Sequence, residues 1–194
     1  MICVTRRGNR HLASCHAARR GSGHRQRGRV YARGAAQRKD IIRQVVKINH
    51  LVAVTATGAA VGFGTSVIGD LPEGNILFLG AVGYLQLSGS GSDANLDATW
   101  DGDFAVGTAP TADVTLSGAE VDILPSTALG AATAEVSPRI RAVNATQAMF
   151  DNTDGSLELN LNVLIDAANI VDGATVNLTA RGTLQLAYVV MLDD

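Results

Sequence analysis

The chain has 194 residues and a formal charge of −2, with both cysteines and all four histidines within its first 50 residues. That balance hides an asymmetry: residues 1–50 carry 13 of the 16 Lys and Arg against one acid, whereas residues 51–194 carry three Arg, no Lys and 17 acids. The larger part therefore lacks imidazole, thiol and amine groups, which excludes Ser/His/Asp, Cys/His and Schiff-base chemistry from it.

Residues 1–44 are rich in Arg, Gly, His and Ala, and their apolar residues follow neither helical nor strand spacing. Such a segment cannot bury enough apolar surface to offset its chain entropy, so a disordered tail is expected there, ahead of one domain over 45–194. Ala35–Val46 is the one stretch of it with a short helical pattern. Three readings of the tail are open. It is a nucleic-acid arm in which Arg19, Arg20, Arg25, Arg27 and Arg29 neutralise phosphates, a transit peptide, or an upstream extension from a misassigned start with the protein proper beginning at Ile41 to Val45. Cys3 and Cys15, with His11, His16 and His24, match no zinc-ligand spacing, so no metal site is expected.

Residues 51–69 are uncharged and follow a basic flank, the pattern of a membrane span. They are mostly Ala, Gly, Thr and Val, however, and two strands separated by a glycine bend account for them better, so no membrane partner is expected. Asp70–Gly74 reads as a turn. Ile76–Leu87 is apolar almost throughout, as a strand buried on both faces would be, with Gly80 and Gly83 as bulge positions. A Ser/Gly loop follows over 88–93. Leu96, Ala98 and Trp100 alternate with polar residues and predict a strand; Phe104 and Val106 continue the pattern past Gly102. Val121 and Leu124 predict another strand ended by Pro125, 127–133 predicts a loop or one helical turn, and Ile140 and Val143 predict a further strand. Beyond the turn at 151–155, Leu157, Leu159, Leu161 and Val163 face one way and Glu158, Asn160 and Asn162 the other. Val176–Ala180 and Leu184–Val190 predict the last two strands. About eight strands, with no long stripe of helical period, predict an all-β fold: an antiparallel β-sandwich of jelly-roll type.

Carboxylates are the remaining chemistry. Asp101 and Asp103 flank Gly102, and Asp151 and Asp154 bracket a turn; either pair suits a hard cation or a glycosidase, but solvated turn positions explain both more simply. The glycines from Gly58 to Gly64 lack the Lys of a phosphate loop. Asn144 and Asn177 each begin a glycosylation sequon. Trp100 is the single residue on which a sugar-binding module could be built.

Several stretches carry a resemblance. They are the Ala/Gly/Thr/Asp-rich, Lys-poor strands, the segments Gly107–Asp113 and Asp122–Thr127, and the terminal Thr175–Tyr188. Over residues 45–194 the chain resembles small virion proteins of tailed bacteriophages, above all the capsid-decorating (cement) proteins. The resemblance implies a non-enzymatic β-sandwich that forms a homo-oligomer, a trimer first of all. It further implies that the protein sits on the capsid surface and locks major capsid subunits together, without cofactor, metal or catalytic residue. Two readings compete with it: a jelly-roll capsid protein whose Arg-rich arm binds nucleic acid, and a carbohydrate- or surface-binding module.

Overall fold

The structure is a computed structural model that describes residues 40–58, 61–91 and 93–191. Nine strands run through the described residues: β1 (Ile42–Thr55), β2 (Gly62–Asp70), β3 (Gly74–Ser88), β4 (Gly102–Gly107), β5 (Leu124–Ala128), β6 (Ile140–Asn144), β7 (Ala148–Asn152), β8 (Glu158–Ile165) and β9 (Thr175–Met191). A single 3-10 turn, Gly118–Glu120, is the one helical element among them. All pairings are antiparallel, in the order β5-β4-β8-β2-β1-β9-β3-β6, with β7 continuing β6 along the outer edge of β3.

That order is a jelly roll. One layer is β1-β9-β3-β6 and the other β5-β4-β8-β2, so the last strand lies between the first and the third. The layers are joined where β1 meets β2 at Thr55 and Phe63. Their other edges approach at β5 and β6, where the Asn144 amide donates to the carbonyls of Asp122 (3.2 Å) and Ile123 (3.1 Å). The sheet therefore curls nearly to closure.

Alternation decides what lies inside. In β9, Val176, Leu178, Ala180, Leu184, Leu186 and Tyr188 are buried while their odd-numbered neighbours up to Ala187 face outward. They pack against Phe104, Val106, Leu159, Leu161, Val163 and Ile165 of the other layer in one apolar core. Each fully buried side chain of this size contributes about 1.5–3 kcal/mol. In β3 a bulge between Phe78 and Gly80 shifts the period by one residue. Ile76 and Phe78 point inward before it and Ala81, Leu85 and Leu87 after it, so a strand with two phases of alternation keeps one core face.

Several expectations change. Residues Ile42–Val46 are strand rather than helix, because every residue from Ile42 to Thr55 is paired with β9; Ala35–Lys39 lie outside the described residues. Ile76–Leu87 is buried on one face only, and Gly83 is a regular position whose missing side chain makes room for Leu124. Residues 93–101 form turns with one bridge at Leu96 in place of a strand. The strand placed before Pro125 starts at Leu124 and runs through Pro125, which β5 accommodates as the edge of its layer. The two final strands are one 17-residue strand that passes through Gly182, where a Cβ would strike the Tyr84 carbonyl oxygen.

Candidate functional site

The residues nominated for chemistry are placed as follows. Trp100 is fully buried (0 % exposed) and its indole N–H donates to the Glu135 carbonyl at 3.3 Å, so it offers no face to a sugar ring. Asp151 and Asp154 each accept hydrogen bonds from their own turn, from Thr153 and Ser156. The Ser156 hydroxyl and then its N–H hold the Asp154 carboxyl below its ordinary 3.8. Asp101 accepts from the Asn169 amide at 2.8 Å and lies with Asp103 beside Asp166. Burial first, then the charges of Asp101 and Asp103, push Asp166 above 3.8. Among the described residues no group of three or more His, Cys, Asp or Glu is placed to hold a metal ion. Gly62 and Gly64 lie inside β2, and Arg19, Arg20, Arg25, Arg27 and Arg29 lie outside the described residues, as do both cysteines. No helix among the described residues is long and apolar enough to cross a membrane.

Buried polar groups instead hold loops. Glu135 is buried at a positive φ of 62°, and its two carboxyl oxygens accept the N–H groups of Gly91 (2.7 Å) and Asp93 (3.2 Å). Asn162, fully buried on β8, accepts from Thr111 N–H and donates to the carbonyls of Ala109 and Glu120. The long connection 108–123 is thereby pinned over β4 and β8. Asp122 joins in by accepting both the N–H and the hydroxyl of Thr108; burial raises its carboxyl more than those bonds lower it.

The distinctive surface is the outer face of β1-β9-β3-β6. Every Lys and Arg in the described residues stands on this layer: Arg43, Lys47, Arg139, Arg141 and Arg181. Period-2 geometry places them. Val46 and Ile48 turn toward the core, so Lys47 turns outward; Ala142 turns in, so Arg141 turns out. Strand register then assembles a row, Lys47 beside Thr183, Thr183 beside Tyr84 and Tyr84 beside Arg141. At about 4.8 Å per strand the row spans about 14 Å. Arg181 stands beside Gln86 in the adjacent row, and the Arg139 guanidinium lies 5.5 Å from the Tyr84 ring centre. Among the described residues none of the five cations forms an ion pair.

Beside the basic row runs an apolar strip. Val45, Gln185, Val82 and Val143 form the next row, and Val189, Leu77 and Met149 form another beyond the bulge. Val45 is 60 % exposed, Met149 55 % and Val143 44 %. A shallow groove of about 470 Å³ runs along it, between Arg43 and Val45 on one side and Val143 and Asn144 on the other. Sequence reasoning missed this face because its residues come from four distant segments.

No family model and no curated protein matches the chain. Among solved structures it is similar to a chain of the cyanophage Pam1 capsid asymmetric unit, at 20 % identity and a TM-score of 0.39, over 87 % of this chain and 98 % of that one. It is also similar to the VP2 protein of infectious bursal disease virus in derived T=1 particles (10 % identity, TM-score 0.34). That match covers 76 % of this chain but only 31 % of VP2. A structure of the Gt strain of the same virus gives 9 % identity and a TM-score of 0.35, with 32 % of that chain covered. These neighbours come from viral capsids, but the superpositions are too loose to carry a function to this chain.

Proposed function

We propose that this protein is a non-enzymatic virion structural component. In this reading it forms a closed homo-oligomer, a trimer first of all, on the capsid surface and stabilises the shell by contacts with major capsid subunits. The observation that carries the reading is the outer face of β1-β9-β3-β6, where exposed Val45, Val143 and Met149 lie beside cations that form no ion pair among the described residues. An apolar strip bordered by charge is the anatomy of a protein interface. The jelly-roll frame supports it by setting β1, β9, β3 and the short β6 and β7 side by side, so that the strip runs across the layer. The resemblance of residues 45–194 to phage cement proteins points the same way.

Light scattering after size exclusion on the full chain tests this. A stable closed oligomer is expected. A chain that stays monomeric at every accessible concentration overturns the assembly reading.

A further inference from the structure

We propose that the basic, apolar-edged face of β1-β9-β3-β6 docks the acidic rim at one end of the sandwich of a second copy, making a head-to-side contact. This rests on the assembly reading above and names the surfaces that would perform it.

The rim is built from three loops tied to one another. Asp97 N–H donates to Asn169 O, Asp166 N–H to Asp101 O, Val171 N–H to Asn95 O, and Glu135 N–H to Ala98 O. These bonds gather Asp97, Asp101, Asp103, Asp166 and Asp172 at the end of the sandwich where β1 finishes and β9 starts. Neither 89–103 nor 166–174 contains a Lys or Arg. Val171, exposed by 51 %, stands directly beside Asp172, and Val136, exposed by 40 %, follows the buried Glu135. The rim is thus a negative surface with apolar points, and the sheet face is a positive surface with an apolar strip.

Charge selects the pairing. Setting two sheet faces together about a two-fold axis would bring one basic face against another, a like-charge contact. Setting rim on rim opposes carboxylates that already raise Asp166 within one chain. Face on rim satisfies both. Such a contact is heterologous, and a heterologous contact closes into a ring when its rotation permits. A nucleic acid would use the cations and Tyr84 but leave Val45, Val82 and Val143 without a complement, so the apolar strip favours a protein partner.

The test uses the full chain and its variants in sedimentation velocity, at salt of about 0.05 M and about 0.5 M, either side of strong screening. Lys47→Glu with Arg141→Glu, and separately Asp97→Lys with Asp172→Lys, should each weaken self-association by about 10-fold or more. An equimolar mixture of the two should associate more strongly than either variant alone, since each retains the surface the other has lost. High salt should weaken the wild type in the same direction. If Lys47→Glu/Arg141→Glu assembles as the wild type does, or the mixture associates no more strongly than either variant alone, this contact is wrong while the assembly reading stands. If that variant loses only binding to a poly(dT) oligonucleotide and keeps its mass, the face serves nucleic acid and the inference falls. A monomeric wild type overturns the assembly reading itself.

Discussion

Asn162→Ala is the most revealing single change to the fold. The side chain is fully buried and makes three hydrogen bonds to backbone: from Thr111 N–H at 2.9 Å, to Ala109 O at 2.9 Å and to Glu120 O at 3.0 Å. A net hydrogen bond is worth about 1 kcal/mol, and a buried group left unpaired costs about 1–3 kcal/mol. Thr111 is buried, so its N–H would carry that penalty, while the carbonyls of Ala109 and Glu120 regain some water. The expected loss is about 3 kcal/mol. Asn160 is a control on the same face of the same strand: it is equally buried, but its amide has one long bond of 3.5 Å to Glu158 O. Asn160→Ala should therefore cost about 1 kcal/mol. Urea unfolding gives both numbers, and native-state hydrogen exchange at Thr111 and Ile123 reports whether segment 108–123 detaches first. Equal losses for the two variants, or unchanged exchange at Thr111, would refute the assignment of Asn162 as the pin of that segment.

Other outcomes follow from the same geometry. The Thr65 hydroxyl is buried without a hydrogen-bond partner, so Thr65→Val should stabilise the chain by about 1 kcal/mol in urea unfolding; a loss would show the hydroxyl to be satisfied. A Cβ at Gly182 meets the Tyr84 carbonyl oxygen, so Gly182→Ala should lower stability by about 1–3 kcal/mol. Gly173→Ala, at φ +72° with open space around it, should cost about 1 kcal/mol. Asp166 is held above 3.8 by burial and then by Asp101 and Asp103, so its ionisation opposes folding as pH rises through its folded value. Asp166→Asn should therefore raise Tm near pH 7 and leave it nearly unchanged near about pH 2, where the carboxyl is protonated in both states. A Tm that falls at neutral pH would contradict the sign. Asp97 and Asp113 have the opposite sign, lowered chiefly by bonds from Thr99 and Thr115; the stability they lend is lost as pH falls through their folded values.

The sandwich was legible where alternation was clean. Leu157–Val163 and Val176–Val190 place their core residues on the face that alternation assigns. It misled where one residue changed the phase or hid a bend. At Leu79 the bulge makes a one-faced strand look apolar throughout, and Gly182 looks like a turn because a glycine inside a strand also marks a close backbone approach. Ala148–Asn152 was missed as strand because Ala148, Met149 and Phe150 break alternation at an edge where only β3 pairs with it. Trp100 alternated convincingly with its neighbours, yet it is a core residue anchored by a loop carbonyl. The candidate surface was the least legible part. Lys47, Arg141 and Arg181 each sit at an outward strand position, a signal present in the sequence, but only the register of four strands brings them together.

Assembly through this face is tested most directly by oxidative footprinting of the full chain, dilute and concentrated. Met149, 55 % exposed on the outer face, and Tyr84 in the basic row are the built-in probes. The account predicts that both are modified in the dilute chain and protected once it assembles. Assembly that leaves Met149 and Tyr84 as reactive as before would contradict it.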